Sequence, residues 1–191
     1  MANIIVGSLL WATANFGVVG YMLFAGIQQI IVITGIHHVI GAVEAQLIAD
    51  TGRNFIMPLM SVALMAQGGA VLGFLVLNWK DIKSRQICIS SFGSILFGIS
   101  EPAIFGVTLK NKFPLIAGCL GASLGGAYVY FTKVTAIGFG ATAIPGIAIV
   151  SAENNGHFNY LIAHLISLAA GFIFTYLYGK LKGKSVKSQE K

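Results

Sequence analysis

The sequence predicts an all-α integral membrane protein, with about four transmembrane helices and two re-entrant hairpins. Three observations carry that expectation. The 191 residues are 56% hydrophobic and only 9% charged, against roughly 25% charged in soluble domains. Several apolar stretches approach the roughly 20 residues that a membrane-crossing helix needs. Two further stretches are apolar but broken by Ser, Gly and Pro, which a plain span does not carry. A porin-type barrel would alternate in segments of about 10 residues, and no such alternation is visible.

Residues 4–34 form one apolar stretch. As a single helix it would measure about 46 Å, longer than the hydrocarbon core of about 30 Å. It is therefore either one steeply tilted helix or a helix broken between Asn15 and Gly20. Gln28 and Gln29 near its end require polar partners. Residues 35–54, GIHHVIGAVEAQLIADTGRN, form a polar interlude, and 55–77 form a span. The loop 78–86, NWKDIKSRQ, carries Lys80, Lys83 and Arg85, which marks it as cytoplasmic.

The stretch 87–109 is interrupted by Ser90, Ser91, Ser94, Ser100, Glu101 and Pro102, and is followed by Lys110 and Lys112. Basic residues on both flanks place both ends in the cytoplasm, so the segment dips in and returns. Irregular backbone at membrane depth survives only where protein or a water-filled cavity covers it. Residues 113–132 form the next span, with Gly118, Gly121, Gly125 and Gly126 allowing close helix contact. The Gly-rich 134–150 is read as a second re-entrant hairpin, entering from the outer side. Residues 158–179 form the last span. In the resulting topology the first span runs outward, 55–77 inward, 113–132 outward and the last returns to the cytoplasm. The tail 181–191 is expected to be basic, cytoplasmic and disordered.

The formal charge of +6 derives largely from Lys180 and, in that tail, Lys182, Lys184, Lys187 and Lys191. No basic face with interleaved aromatics exists, so no nucleic-acid role is expected. Cys88 and Cys119 lie in apolar surroundings, far apart, and read as small buried hydrophobes rather than a disulfide framework. The start, MANIIVGSLLW, has no basic leading region and does not read as a cleaved signal peptide.

One of only six acidic residues, Glu101, sits inside FGISEPAIFGV. A carboxylate at membrane depth costs at least a few kcal/mol and must be paired, protonated or facing water. Pro102 is favoured at the first position of a helix, and the residue before a proline is pushed away from helical geometry. Glu101 thus sits at a break, at the mouth of a half-helix, where ligands gather near the bilayer midplane. It serves either as a cap with a structural partner or as an acceptor for ligand hydroxyls. His37 and His38 can exchange a proton or hydrogen-bond a hydroxyl. As a metal site the pair is unsupported: there is no HExxH, and adjacent histidines are expected on different helix faces. Glu44, Gln46, Asp50, Arg53 and Asn54 form a polar cluster, with Asp50 and Arg53 spaced for an ion pair.

These residues resemble a known family. GISEPAIFGV resembles the motif G-[IV]-[ST]-E-P-A-[IL]-F-G of the sugar-transporting enzyme IIC of the phosphoenolpyruvate-dependent phosphotransferase system. GIHH resembles its other hallmark. EAQLIADTGRNFIMP, residues 44–58, is similar to the sucrose branch, and KNKFPLIAGCLGASLGGA fits the glucose–sucrose superfamily. The resemblance runs from about residue 17 to 179.

The resemblance implies a dimeric bacterial inner-membrane permease with a cytoplasmic C-terminus. Such a permease binds sugar outside, carries it across, and presents it to a phosphorylated cysteine on enzyme IIB. The family's sugar-contacting residues correspond to Glu101 and to His37, with His38, Glu44 and Asn54 as further candidates. No residue is assigned as a catalytic group beyond positioning the sugar, and no metal or cofactor is expected. The expected sugar is sucrose or a related disaccharide, with trehalose or a β-glucoside as the alternative.

Residues 1–180 correspond to the C-terminal half of an enzyme IIC membrane domain, without the IIB and IIA domains. The chain then contributes to a sugar phosphotransferase without phosphorylating sugar alone, working with enzyme IIB and an N-terminal IIC half. The competing expectations are a non-transporting membrane fragment of such a permease and an unrelated intramembrane His/Glu enzyme.

Overall fold

The structure, a computed structural model, describes Trp11 and residues 15–189, with side chains up to Lys182. From Val18 on, the described residues form eight helices, α1 (Val18–Ile33), α2 (His37–Thr51), α3 (Ile56–Leu77), α4 (Ile82–Leu96), α5 (101–111), α6 (Phe113–Thr132), α7 (Ala143–Gly146) and α8 (Gly156–Gln189). Helix α5 runs in three consecutive pieces, Glu101–Ala103, a π-helical Ile104–Thr108 and Leu109–Asn111. Single 3₁₀ turns, Ile147–Ile149 and Glu153–Asn155, link α7 to α8. Among the described residues the only β pairing is two isolated bridges, Asn54 with Ala136 and Ala136 with Val150. The all-α membrane fold expected from composition is the fold observed.

Among the described residues three segments are long and apolar enough to cross a membrane: Ile56–Leu77, Phe113–Thr132 and Glu153–Lys182. Helix α3 is the central one, because 83% of its apolar window is buried against 39% for each of the others. It touches α8 almost backbone to backbone. A Cβ at Gly69 would strike the Leu168 carbonyl, and one at Gly171 would strike the Ala66 carbonyl. Small residues at such crossings let dispersion contacts replace the hydrophobic drive that lipid does not supply. The glycines of α6 act likewise: Gly121 faces Gly171, Gly125 faces Ser167 and Gly126 faces the Tyr21 carbonyl.

The bundle has two chemically distinct ends. At one, the rings of Phe74, Phe113 and Tyr178 meet at 6.0 and 5.5 Å, and Gly179 lies against Leu77. This end gathers Lys80, Lys83, Arg85, Lys110, Lys112, Lys180 and Lys182. At the other, Tyr21 lies 5.8 Å from Phe55 and 5.2 Å from Tyr130, and the Tyr128 hydroxyl donates to Asn159 at 3.1 Å. Arg53 and Lys133 lie at that second end, and Arg53 is paired there with Glu153.

The structure departs from the sequence reading in two places, the direction of α1 and the loop 78–86. For the stretch 4–34 it shows the broken alternative in the described part. Gly17, between Asn15 and Gly20, takes φ 53° and α1 begins only at Val18, so α1 is about 24 Å long and falls short of the hydrocarbon core. Residues 4–10 and 12–14, and with them the signal-peptide reading, lie outside the described residues. The direction of α1 is also reversed from the expected one. Ser123 donates to the Met22 carbonyl at 3.0 Å and Gly126 abuts Tyr21, so α1 is antiparallel to α6 and parallel to α3. After the turn Thr34–Ile36, α2 climbs back to the Asn54 end, which makes α1–α2 a third hairpin. The loop 78–86 shrinks to a turn, because Asp81 accepts from the backbone of Lys83 and Ser84 and caps α4 there. The α8 backbone is helical to Gln189.

Both interrupted stretches fold as hairpins. Hairpin 1 is α4, the turn Phe97–Ser100 and α5, rooted at the cationic end. Its arms are tied by Ser91, which donates to the Pro102 carbonyl at 3.1 Å. Hairpin 2 is 134–150, rooted at the Asn54 end. There the Ile137 amide donates to Ile149 at 2.8 Å and the Ser151 amide donates to Thr135 at 2.9 Å.

Candidate functional site

The turns of the three hairpins converge. In the first, the Thr34 hydroxyl donates to the Ile31 carbonyl at 2.7 Å and Gly35 takes φ 75°. The chain reverses and His37 becomes the first residue of α2. In hairpin 1 the Phe97 and Gly98 amides close back on Ser94 and Ile95, and Gly98 adopts φ 90°, a backbone state that side chains rarely take. Glu101 then opens α5 and Pro102 is its second residue. That is one place later than expected, but still where a missing N–H costs no helical bond. The π-helical turn that follows is the kind of irregularity often found beside sites. It leaves the buried Thr108 hydroxyl without a partner among the described residues.

This geometry brings His37 and Glu101 together. The Nε2 of His37 lies 4.0 Å from Oε1 of Glu101, with side-chain exposures of 19% and 49%. Burial and the neighbouring His38 push the His37 pKa below its ordinary value, outweighing the opposite pull of Glu101. At 4.0 Å the two groups approach without forming a hydrogen bond. Among the described residues the buried His37 Nδ1 makes no well-formed hydrogen bond. The His38 ring lies 4.0 Å from that of His37, tilted by 37°. Adjacent histidines were expected on different faces. In the first turn of a helix no preceding turn restricts the rotamer, so the two rings can fold together.

Glu44 and Asn54 are brought together elsewhere. Both are buried, at 3% and 0% exposure, and Asn54 donates to Glu44 at 2.8 Å. Asn54 also donates to the Gly138 carbonyl at 3.2 Å, and its side-chain oxygen accepts from the Ile56 and Met57 amides at 2.9 and 3.1 Å. All four hydrogen-bonding valences of its side-chain amide are thus filled by protein. Its backbone exchanges two 2.8 Å bonds with Ala136. Asn54 is a knot joining α2, α3 and hairpin 2, and offers a ligand no free group. Burial raises the Glu44 pKa, and the Asn54 bond opposes that only in part.

The expected Asp50–Arg53 pair does not form. Gly52 ends α2 in the left-handed conformation, so Arg53 leaves the helix. Its guanidinium binds Glu153 with both terminal nitrogens, while Asp50 accepts from Gln46 at 2.8 Å.

A second polar group escaped the sequence reading. Ser61 on α3 and Tyr160 and His164 on α8 are buried together. The Ser61 Oγ lies 2.6 Å from the Tyr160 hydroxyl, 2.7 Å from His164 Nε2, and 2.7 Å from the Ala143 amide that donates to it. The available signal was polar residues inside apolar spans, with Tyr160 and His164 four apart on one helix face. Nothing in one sequence names their partner on α3.

The comparisons with known proteins agree with these motifs. The family described as "Phosphotransferase system, EIIC" matches residues 1–122. The sucrose-specific EIIBC component of Bacillus subtilis is 41% identical over 170 residues, covering 89% of this chain and 36% of that protein. The sucrose-specific EIIBC component of Salmonella typhimurium is 42% identical over 153 residues, covering 79% of this chain and 33% of its own length. The trehalose-specific EIIBC component of Bacillus subtilis is 34% identical over 185 residues, covering 96% of this chain and 39% of its own. The chain spans about a third of the length of these relatives. No solved structure matches it significantly. Family match, relatives and the intact GIHH and GISEPAIFG segments agree that this chain belongs to the EIIC family of the phosphotransferase system.

Proposed function

We propose that the chain forms the sugar-contacting part of a phosphotransferase-system permease, with His37 and Glu101 as its principal contacts and sucrose as its preferred sugar. The observation that carries this reading is the 4.0 Å approach of the His37 imidazole to the Glu101 carboxylate, made by turns of two separate hairpins. Glu101 accepts hydrogen bonds from sugar hydroxyls, for which half its side chain is open. His37, held unprotonated, accepts one hydroxyl hydrogen. Together they fix the sugar's orientation, and positioning is a large part of phosphoryl transfer. His38, stacked on His37, completes the polar wall.

The phosphoryl donor in this reading is an enzyme IIB carrying a phosphocysteine. The sugar hydroxyl oxygen attacks phosphorus, the S–P bond breaks and the cysteine leaves as thiolate. The hydroxyl proton passes to His37 or to water. Sucrose is favoured because the relatives at 41% and 42% identity are named sucrose-specific. The concentration of lysines at one end of the bundle supports a cytoplasmic C-terminus in the bacterial inner membrane. Assembly follows the family as a homodimer.

The test is equilibrium binding of radiolabelled sucrose, trehalose and a β-glucoside to the chain in lipid nanodiscs. Sucrose is expected to bind best. His37→Gln and Glu101→Gln should each weaken it about tenfold or more, the weight of a hydrogen bond to a charged or buried group. Tighter trehalose binding would reassign the sugar. Unchanged affinity in either variant would remove that residue from the site, and a chain that binds no sugar refutes the reading.

A further inference from the structure

Hairpin 2 ends in a tip whose conformation its own sequence does not favour. Ala143 adopts φ 52°, the left-handed region that a residue with a Cβ avoids. Such a state persists only where surrounding groups over-determine it. Here both backbone polar groups of Ala143 are held by side chains of the central scaffold. Its amide donates to Ser61 Oγ at 2.7 Å, and its carbonyl accepts from the Tyr160 hydroxyl at 3.0 Å.

Ser61 is itself fixed from behind. His164 Nδ1 lies 2.6 Å from the Tyr160 carbonyl. A carbonyl only accepts, so Nδ1 carries the hydrogen there, and Nε2 is left to accept from the Ser61 hydroxyl at 2.7 Å. Ser61 then accepts from the Ala143 amide and from Tyr160, whose single hydroxyl hydrogen is shared between Ser61 Oγ and the Ala143 carbonyl; Ser61 and Tyr160 are fully buried.

Apolar packing holds the tip too, since Ala143 is buried in a cluster with Met65 and Ile95. A cavity of about 280 Å³ lies beside it, lined by Ala143, Tyr160 and His164 together with apolar side chains such as Met65 and Ile147. The tip in turn bears on the other hairpin. A Cβ at Gly98 would come within 2.9 Å of the Thr142 hydroxyl, and Gly98 lies in the break that ends at Glu101.

We propose that Ser61, backed by Tyr160 and His164, is a positioning clamp that holds the tip of hairpin 2 against the break carrying Glu101, and thereby sets the geometry of the sugar site. The clamp touches no sugar; it acts through Thr142 and Gly98. The part that concerns sugar rests on the function proposed above, whereas the hold on the tip does not.

The experiment is hydrogen–deuterium exchange of the chain in nanodiscs, paired with sucrose binding, for wild type, Ser61→Ala, Ser61→Thr and Tyr160→Phe. In Ser61→Ala, exchange across 138–147 should accelerate about tenfold, the factor for one buried hydrogen bond. Exchange across 113–132 should stay as in wild type. Sucrose affinity should fall about fivefold with an unchanged number of binding sites, a split that general loss of fold does not give. Ser61→Thr keeps the hydroxyl and should restore both readouts. Tyr160→Phe removes the bond to the Ala143 carbonyl together with the 2.6 Å contact to Ser61 and should shift both in the same direction. If Ser61→Ala fails to fold, Tyr160→Phe decides. Unchanged exchange at 138–147 overturns the clamp. Accelerated exchange with unchanged affinity overturns its role at the sugar site. A wild-type chain that binds no sucrose sinks the sugar site and the clamp's part in it, while exchange still judges the hold on the tip.

Discussion

Replacing Asn54 with Ala tests the knot that ties α2, α3 and hairpin 2. The substitution leaves the backbone pairing with Ala136 intact and deletes four side-chain hydrogen bonds. Glu44, 3% exposed, loses its amide partner, and a buried polar group left unpaired costs about 1–3 kcal/mol. The Ile56 and Met57 amides lose the oxygen that caps the start of α3, worth about 1 kcal/mol. The sum is about 3 kcal/mol, a more than hundredfold shift in the folding equilibrium. The assay is SDS titration in mixed micelles followed by helical circular dichroism. Asn54→Asp is the companion variant. It keeps the capping oxygen but sets a second carboxylate against Glu44, so it should be poor at pH 7 and recover on acidification. A loss below about 1 kcal/mol for Asn54→Ala, or no pH dependence for Asn54→Asp, would falsify the knot.

Glu44→Gln should raise stability above pH 5, because Gln keeps an acceptor for Asn54 and removes a buried carboxylate. The sign follows from the raised pKa of Glu44. The folded state holds its proton longer than the unfolded one, so stability falls as pH rises from about 4.5 through the raised value. Comparing the two proteins across pH should show that slope in wild type and not in the variant. For His37 the pKa is lowered, so the unfolded chain binds its proton first. Stability and sucrose binding should be full above pH 6.5 and decline only below it, and an inflection above 6.5 in a binding titration would contradict the assignment. Gly171→Ala should cost about 1–3 kcal/mol by overpacking the α3–α8 crossing, seen as a lower SDS midpoint. A neutral result would mean that the two backbones do not approach so closely.

Much of this architecture is written locally and is legible for that reason. The spans follow from apolar length, hairpin 1 from basic flanks around serines and a proline, and the importance of Glu101 from the cost of a carboxylate among Phe97, Ile99 and Ile104. What stayed hidden depends on partners distant in the chain. The direction of α1 is decided by Ser123 and Gly126, which nothing near Met22 or Tyr21 foretells. Arg53 sits at a plausible spacing from Asp50, yet Gly52 ends the helix between them and Glu153 takes the charge. Asn54 reads as one of a polar cluster and a candidate sugar contact until Ala136 and Gly138 arrive to fill it. The pairing of His37 with Glu101 was legible only because each lies in a recognisable segment; the spacing between those segments carries no geometric information.

The hairpin turns hang from opposite faces of the bundle. The His37 turn and the Thr142 tip descend from the Asn54 end, and the Glu101 break rises from the lysine-bearing end. A guest lodged where they meet is therefore roofed by elements anchored on one side and floored by an element anchored on the other. In the function proposed above, such a guest would bridge elements anchored at both ends, so its binding would tie the lysine-bearing end of the bundle to the Asn54 end.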